Sequence, residues 1–270
     1  MIVTATAYDR KVKIEVHDDE FTSNLIKEHK TYSNADLFLM QNSKRSDDDI
    51  FIDMGANIGW NTIYGAQVFS KVYSFEPYHK NIKLLKNNLI HNKLNNVVVC
   101  EKAISNHSST VDLYLNGDNY GDNIIDPVDK NDFNECVTIE TITFDEFIIN
   151  ENIDSSKISC IKMDIQGYEI KALEGMTTFF NNNYPNILIE YAPHHIELAN
   201  NSVFELFAFV DKYDYVPFRI YDKAVEEVDM ISFDTVLQQL NFKSWLDDTM
   251  VLKEYGVHYD IFLIHKSQLL

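Results

Sequence analysis

Four acidic residues in this 270-residue chain each stand at the end of a short apolar stretch. They are Asp53 in DIFIDM, Glu76 in KVYSFE, Asp164 in ISCIKMD and Glu190 in NILIEY. If these stretches are parallel strands of one sheet, the acids meet at its carboxyl edge, where open α/β sheets bind ligands. Four carboxylates at one edge would form a cleft for a ligand that offers hydroxyls, amines or positive charge.

The turn after Asp53, within FIDMGANIGWNT (51–62), carries little side-chain bulk. Gly55 and Gly59 bracket it, and glycine allows positive φ and close approach of a ligand to the backbone. The dinucleotide fingerprint G-x-G-x-x-G is incomplete, so a pyrophosphate is not favoured. Glu76 ends the second predicted strand, where an acid can accept ribose hydroxyls. The pattern predicts an adenosine-type ligand, the alternative being a plain turn in which Asp53 caps the helix.

The elements that must position these residues alternate between strand-like and helix-like patterns from residue 50 onward. Such alternation is typical of parallel strands joined by right-handed crossovers. The sequence therefore predicts an α/β fold with a doubly wound, mostly parallel, Rossmann-like sheet of seven strands. The predicted strands are 49–54, 71–76, 96–105, 158–164, 186–191, 215–221 and 259–265, and the predicted helices are 61–70, 78–91, one starting at Glu169, and 203–213.

No linker rich in Pro, Gly or Ser divides the chain, which has only 8 Gly and 5 Pro, so it is interpreted as one domain. Residues 1–45 form an N-terminal extension or cap, and 50–221 with 259–265 form the core. The region 106–150, with STVDLYL and CVTIETI around the polar turn NGDNYGDN, is predicted to be a β insertion or lid. The acidic segment 222–256 is a candidate second insertion.

The chain is strongly acidic, with a formal net charge of −19 from 42 acidic and 23 basic residues. Nucleic-acid binding depends on Lys and Arg that neutralise phosphates, so neither nucleic acid nor a membrane is an expected partner. No apolar run approaches the roughly 18 residues of a membrane span, and the N-terminus lacks a signal-peptide pattern. The three cysteines show no C-x-x-C or disulfide pattern, which favours a reducing, cytoplasmic location.

Five blocks follow one another in order: DMGANIG (53–59), FEP (75–77), EKAISN (101–106), KMDIQGYE (162–169) and ILIEY (187–191). Together they resemble the FkbM-type methyltransferases, class I enzymes that use S-adenosylmethionine. The resemblance extends from about residue 30 to about residue 220. It implies a methyltransferase with the class I fold and S-adenosylmethionine as cofactor.

The resemblance also implies where the cofactor lies. The loop 53–59 would surround the methionine part, and Glu76 would hold the ribose hydroxyls. Ala103 and Ile104 would flank the adenine, and Asp164 would lie near the sulfonium and the acceptor. The complete set of implied cofactor residues is Asp53, Gly55, Ala56, Asn57, Gly59, Thr62, Glu76, Pro77, Ala103, Ile104 and Asp164.

One position departs from the family pattern. Relatives commonly have D-x-E-G at the fourth strand, whereas this chain has D-I-Q-G with Gln166, which cannot ionise. If that glutamate is a base or a metal ligand in relatives, its role is lost here or passes to Asp164, Glu169 or Glu190. A magnesium ion on Asp164 and Glu190 is chemically reasonable, but Gln166 disfavours it, and no metal is predicted.

Methyl transfer from a sulfonium is an in-line displacement with an activated leaving group, so the protein mainly aligns the reactants. A hydroxyl acceptor also needs a base within hydrogen-bond reach. The predicted candidates are Asp164, then Glu190, then His194 or His195, which follow the fifth strand in a predicted loop. FkbM-type relatives act on sugars or polyketide-type products, so the expected acceptor is a hydroxyl of a sugar, glycan or glycosylated metabolite.

Two other classes stay open at this point. A nucleotide-dependent oxidoreductase or epimerase would need a third phosphate-loop glycine and usually a Tyr-x-x-x-Lys pair, and neither follows a predicted strand. A non-catalytic cofactor-binding module that kept the fold is compatible with Gln166. Tyr32 is a candidate for closing the cofactor pocket, with core packing the equal alternative.

Overall fold

The computed structural model describes residues 1–18, 20–117, 119–131, 133, 135–221 and 232–269. In chain order the elements are β1 (Ile2–Ala7), β2 (Arg10–Glu15), α1 (Phe21–His29), α2 (Asn34–Asn42), β3 (Ile50–Met54), α3 (Trp60–Val68), β4 (Lys71–Phe75), α4 (His79–His91), β5 (Val97–Cys100), β6 (Ala103–Ile104), β7 (Thr110–Leu115), β8 (Ile124–Ile125), β9 (Glu135–Ile142), α5 (Phe144–Asn150), β10 (Ile158–Met163), α6 (Glu169–Glu174), β11 (Asn186–Tyr191), α7 (Pro193–Leu198), α8 (Val203–Lys212), β12 (Tyr215–Ile220), α9 (Phe233–Val236), β13 (Leu237–Gln239), α10 (Phe242–Tyr255) and β14 (Tyr259–His265).

Within the described residues, the main sheet has eight strands in the spatial order β13-β12-β14-β11-β10-β3-β4-β5. The strands from β11 to β5 are mutually parallel, β14 runs antiparallel between β11 and β12, and β13 is antiparallel to β12. The predicted α/β fold with many parallel strands is confirmed, but the predicted seven strands are one too few. The additional edge strand β13 has three residues, LQQ, and lacks the alternating pattern that predicts a strand.

Strand order reverses between β3 and β10, and this switch point determines where the loops meet. The chain moves outward from β3 through β4 to β5, then returns to β10 and moves outward to β11 on the other side. At the carboxyl ends, Met54 of β3 lies beside Met163 of β10 and Phe75 of β4. The loops that follow these three strands therefore emerge side by side.

The central strands are buried on both faces, which explains their nearly continuous apolar sequences. Every residue of β3 and β10 is buried, including Asp53 and Lys162. Helix α4 buries Ile82, Leu85 and Leu89, which recur every three or four residues on one face. The helices predicted over 61–70, 78–91 and 203–213 match α3, α4 and α8 to within two residues at each end.

The predicted strand 96–105 is two strands in different sheets. β5 pairs with β4 in the main sheet, whereas β6 pairs with β9 in a second sheet of order β6-β9-β7-β8. The break falls at Glu101 and Lys102, where Lys102 Nζ lies 2.7 Å from Glu140 Oε2 of β9. Charged side chains are rarely covered on both faces of a sheet, so the chain leaves the main sheet there. The β insertion predicted over 106–150 contains β7, β8, β9 and α5.

Residues 1–45 fold as the β1–β2 hairpin followed by α1 and α2. Ile14 and Leu37 of this segment share a core cluster with Trp60 of α3. Asn88 of α4 ties the hairpin to the glycine turn, since its Nδ2 donates to Glu15 O at 3.0 Å and to Ile58 O at 2.8 Å. The N-terminal segment is therefore attached directly to the start of α3.

Part of the candidate second insertion belongs to the core. Residues 222–231 lie outside the described part of the chain, and the remainder forms α9, β13 and α10. Trp245 and Leu252 of α10 are buried in the main core cluster, so α10 is not a separate insertion. None of the described helices is long and apolar enough to cross a membrane.

Candidate active site

A cavity of about 620 Å³ lies at the carboxyl ends of β3, β4, β10 and β11, at the switch point of the sheet. The N-terminal segment contributes Phe21, Thr22 and Tyr32 to its wall, and the insertion contributes the loop 119–123. The residues predicted from the sequence that line it are Gly55, Ala56, Asn57, Glu76, Pro77, Ala103, Ile104, Asp164, Glu190, His194 and His195.

The turn after β3 forms one wall largely through its backbone. Gly55 has φ +85° and Asn57 has φ +49°, both in the left-handed region. The amides of Gly55 and Ala56 donate to Phe75 O at 3.0 and 2.9 Å, which fastens the turn to β4. A Cβ on Gly55 would overlap Asp164 O, so this turn touches the end of β10 directly and requires glycine.

Glu76 is fixed directly after β4 by backbone amides. Its Oε2 accepts from Asn57 N at 2.8 Å and its Oε1 from Tyr78 N at 2.9 Å. Burial raises the pKa of Glu76 to about 7, against the lowering effect of these two hydrogen bonds. The carboxyl group is therefore held at the cavity wall with lone pairs left for the hydroxyls of a ligand.

Asp53, Gly59 and Thr62 lie behind the cavity wall. The Asp53 side chain is fully buried, and its Oδ2 accepts from Thr62 Oγ1 at 2.5 Å. Thr62 Oγ1 also lies 2.8 Å from Ser74 Oγ, so this cluster joins β3, α3 and β4 beneath the turn. Successive side chains of a strand point to opposite faces, and Met54 lines the cavity instead. The structure places these three residues behind the lining of the cavity, and their part in holding the cofactor stays a prediction.

Apolar side chains line the cavity between the main sheet and the insertion. Ala103 and Ile104 of β6 line it together with Phe75, and all three are buried. Leu113 of β7 and Ile125 of β8 complete this surface. A flat aromatic base fits between such apolar surfaces. The sequence prediction does not include Leu113 or Ile125, because only the folding of the insertion brings them to the cavity.

Asp164 and Glu190 are joined by the side-chain amide of Gln166. Gln166 Nε2 donates to Asp164 Oδ1 and to Glu190 Oε2, each at 2.9 Å. Lys162 Nζ donates to Asp164 Oδ2 at 3.2 Å, and His258 Nε2 lies 3.6 Å from Glu190 Oε1. In the part of the chain that the structure describes, no group of three or more His, Cys, Asp or Glu side chains could hold a metal ion.

The sequence prediction does not include Lys162 or His258. Lys162 is 4% exposed in the apolar strand β10, and a charge within such a strand signals a buried ion pair. Burial alone would lower the pKa of Lys162, but the carboxyl groups of Asp164, Asp260 and Asp36 raise it well above its usual value. Lys162 therefore stays charged. His258 directly precedes β14, and no sequence pattern marks it.

The surroundings of Glu190 favour its protonated form. Burial raises its pKa well above the usual value, and the neighbouring carboxyl groups of Asp164 and Asp260 raise it further. A carboxyl group with a raised pKa is a stronger base once it is ionised, so the ionised form of Glu190 can accept the proton of a ligand hydroxyl. Glu190 is thus suited chemically to acid–base work.

His194 and His195 lie in the first turn of α7 and not in the predicted loop. Pro193 occupies the start of this helix, where its missing N–H costs least. The two ring centroids are 4.0 Å apart, and Nδ1 of each ring is buried without a hydrogen-bond partner among the described residues. Burial lowers the pKa of both histidines, that of His195 to about 4 with help from His194 and His258. Both rings are therefore neutral at pH 7, because even the ordinary histidine pKa of about 6.5 lies below that pH.

The insertion and the N-terminal segment meet over the cavity. Tyr120 lies edge-on to His17, with ring centroids 4.9 Å apart. Tyr32 lines the cavity and also packs edge-on against Trp60, whose Nε1 donates to Tyr32 O at 2.8 Å. The position of Tyr32 therefore combines pocket lining with core packing.

The sheet has a cleft at its switch point, a glycine turn after β3 and a fixed acid after β4. These features are typical of α/β proteins that bind a nucleoside. The profile of the Methyltransferase FkbM domain matches residues 53–217, more than half of the chain. The chain therefore belongs to the FkbM methyltransferase family, as predicted, and its cofactor is S-adenosylmethionine. No match to a curated protein was found.

Solved structures with similar folds include an FkbM methyltransferase from Methylobacillus flagellatus KT, at 20% identity and a TM-score of 0.46, covering 66% of this chain and 41% of that chain. This chain thus spans less than half of that protein's length. An rRNA methylase from Streptococcus thermophilus has 11% identity and a TM-score of 0.46, covering 86% of this chain and 95% of that one. M. jannaschii TYW2 in complex with AdoMet has 12% identity and a TM-score of 0.41, covering 97% of this chain and 84% of that one.

Proposed function

We propose that the protein transfers the methyl group of S-adenosylmethionine to a hydroxyl of a sugar, a glycan or a glycosylated metabolite. The observation that carries this proposal is the Asp164–Glu190 pair, bridged by Gln166, in the same cavity as Glu76. A hydroxyl acceptor must lose a proton during transfer, and a carboxyl pair beside it supplies the base.

The residues on the β3–β4 side of the cavity fit the cofactor. Glu76 offers carboxylate oxygens to the ribose hydroxyls, and the backbone of 55–57 offers a surface without bulk to the methionine part. Ala103 and Ile104 offer apolar surfaces to the adenine. When bound, S-adenosylmethionine supplies an activated methyl group, and the protein aligns it with the acceptor.

The acceptor belongs on the β10–β11 side. Glu76 follows β4 and Glu190 lies near the carboxyl end of β11, three strands away across the switch point. At about 4.8 Å per strand, the two acids stand roughly 14 Å apart along the sheet edge. That separation leaves room for an adenosine moiety on one side and for the reacting hydroxyl on the other.

The polar lining favours a neutral, polyhydroxylated acceptor. Among the described residues that line the cavity there is no Lys or Arg. A phosphate-rich acceptor such as RNA would find no opposite charge there, which together with the net charge of −19 disfavours nucleic acid. Sugar hydroxyls match carboxyl and amide groups well. Those that line the cavity are Asn57, Asn61, Glu76, Asn81, Asn116, Asn119, Asp122, Asn123, Asp164, Gln166 and Glu190.

Labelled S-adenosylmethionine tests the proposal. The purified protein is incubated with it and, in parallel, with mixed glycans, glycosylated metabolites and RNA. Label that enters the carbohydrate fractions as an O-methyl ether supports the proposal. Label in RNA alone, or an N-methyl product, contradicts it. Binding of S-adenosylhomocysteine without transfer to any acceptor would identify a non-catalytic module, and stabilisation by NAD instead would favour an oxidoreductase.

A further inference from the structure

Gln166 occupies the position where the two candidate bases meet. It is 5% exposed, lines the cavity, and donates from one nitrogen to both Asp164 and Glu190. The reverse orientation of the amide would place its oxygen against two carboxyl oxygens, so the nitrogen must face them. One neutral donor group therefore bridges two carboxyl groups that would otherwise repel each other.

The backbone holds Gln166 in this place under strain. Its φ is +55°, in the left-handed region that non-glycine residues rarely adopt. Gly167 follows with φ +90°, and a Cβ there would overlap His195 O, so the turn is wedged against α7. Gln166 Oε1 is buried and has no hydrogen-bond partner among the described residues. Strain and an unsatisfied acceptor at one residue point to a functional constraint.

The donors around the pair are distributed unequally. Asp164 accepts from Gln166 Nε2 at 2.9 Å and from Lys162 Nζ at 3.2 Å. Glu190 accepts from Gln166 Nε2 at 2.9 Å, while His258 Nε2 is 3.6 Å away, beyond hydrogen-bond distance. Donors stabilise the ionised form of a carboxyl group, so Glu190, which has fewer donors than Asp164, is the member of the pair that accepts a proton more readily.

We propose that Gln166 is a positioning residue that holds Asp164 and Glu190 side by side and makes Glu190 the base for the acceptor hydroxyl. This inference rests on the proposed function, and it reverses the order of bases predicted from the sequence. As the acceptor oxygen bonds to the methyl carbon and the sulfur–methyl bond breaks, the hydroxyl proton passes to Glu190. Asp164 keeps its hydrogen bond from Lys162 Nζ.

A glutamate at position 166, the residue that the family pattern commonly carries, would change this arrangement. It would remove both donors and place a third negative charge between the pair. The remaining groups that face the pair are the same in wild type and in both Gln166 variants. They are Tyr32, Asp53, Asp122, Lys162, Glu169, His194, His195, His258 and Asp260.

The test compares Gln166→Glu and Gln166→Met by thermal unfolding between about pH 5 and about pH 8. Both changes raise the folded-state pKa of Glu190, because the variants lose the N–H group that Gln166 donates to it. Stability linked to a raised carboxyl pKa is present at low pH and is lost as the pH rises through that pKa. We therefore expect a fall in melting temperature, relative to wild type, that grows with pH and is larger for Q166E than for Q166M.

Gln67→Glu is the matched control, since Gln67 lies on α3 outside the cavity and donates to Ile63 O. Its melting temperature should differ from wild type by the same amount at every pH. If Q166E and Q166M are destabilised equally at all pH values, or Q166M matches wild type throughout, Gln166 only fills space and the inference is overturned. If Q166E fails to fold at neutral pH, recovery of folding near pH 5 supports the inference. If Q166E folds at neither pH, the melting temperatures of Q166M decide between the two outcomes.

Two further readouts separate this inference from the proposed function. S-adenosylhomocysteine should bind wild type and Q166M equally in calorimetry, because Gln166 is assigned to the acceptor side. In methyl transfer, the rising acid limb of the kcat profile of Q166M should move to higher pH while KM for the cofactor stays unchanged. If the acid limb of the kcat profile does not shift in Q166M, the proposed role of Gln166 is contradicted. If wild type does not bind S-adenosylhomocysteine, the proposed function is contradicted, and the thermal unfolding experiment alone tests whether Gln166 holds Asp164 and Glu190 together.

Discussion

The two sides of the cavity are built in different ways. On the β3–β4 side, backbone amides hold the wall: those of Gly55 and Ala56 donate to Phe75 O, and that of Asn57 donates to Glu76. On the β10–β11 side, side chains hold one another, with a single amide nitrogen of Gln166 between two carboxyl groups. The comparison indicates that the β3–β4 side, where we propose the cofactor, depends on chain geometry, whereas the β10–β11 side, where we propose the acceptor, depends on side-chain chemistry.

Gly55→Ala should have the largest effect on stability and cofactor binding, because it disturbs the backbone that forms the β3–β4 side of the cavity. The new Cβ would overlap Asp164 O at a residue with φ +85°. Overpacking and left-handed strain together cost about 2–6 kcal/mol, so we expect a lower melting temperature and loss of S-adenosylhomocysteine binding in calorimetry. Gly117→Ala, where no atom lies within 4 Å of the new Cβ, should change neither. If G55A binds S-adenosylhomocysteine as tightly as wild type does, cofactor binding does not depend on the backbone geometry of the β3–β4 side.

Glu190→Gln should strongly slow methyl transfer and leave cofactor binding unchanged. Removal of a general base lowers the transfer rate by about 10²- to 10⁴-fold. S-adenosylhomocysteine affinity should stay within about threefold of wild type, a difference below 0.7 kcal/mol by the relation of about 1.4 kcal/mol per tenfold. Glu197→Gln, on α7 and paired with Lys253 at the surface, is the control and should keep full activity. A faster E190Q than Asp164→Asn would contradict the assignment of Glu190 as the base.

Glu76→Gln should weaken cofactor binding without removing it. Both carboxyl oxygens accept backbone amides, so the new NH2 group would face the N–H of either Asn57 or Tyr78. The mismatch lowers stability, and the loss of the charged acceptor for the ribose hydroxyls costs about 1–3 kcal/mol of binding, or roughly 5- to 150-fold in affinity measured by calorimetry. Glu101→Gln, at the exposed end of β5, supplies the matched charge change and should bind normally.

Asp53→Asn should have the smallest effect on binding, because Asp53 lies behind the wall. Burial raises the pKa of Asp53 from 3.8 to about 6, so its contribution to stability is present below about pH 4 and is lost as the pH rises through about 6. D53N cannot titrate there, and Thr62 can still donate to its amide oxygen. Between about pH 4 and about pH 7, melting temperatures should shift in favour of D53N relative to wild type. A larger loss of cofactor affinity than in E76Q would show that Asp53 contacts the cofactor.

The difference between the two sides also explains how much the sequence could predict. The glycine turn, Glu76 and the alternation of strands and helices are local signals, because glycine geometry and apolar periodicity act over a few residues. The family and the cofactor followed from these blocks and are confirmed.

Features that depend on distant contacts could not be predicted in the same way. The bridge of Gln166 joins β10 to β11, and His258 reaches Glu190 from the start of β14. The split of 96–105 depends on β9, which follows much later in the chain. Tyr120 covers the cavity only because the insertion folds back towards His17. Each is a tertiary contact without a sequence period to reveal it.

Calorimetric titration of S-adenosylhomocysteine into wild type, E76Q and E190Q tests the division of the cavity most directly. Wild type and E190Q are predicted to bind with the same affinity, and E76Q with roughly 5- to 150-fold lower affinity. Weak binding by E190Q together with unchanged binding by E76Q would place the cofactor on the other side of the switch point and contradict the account.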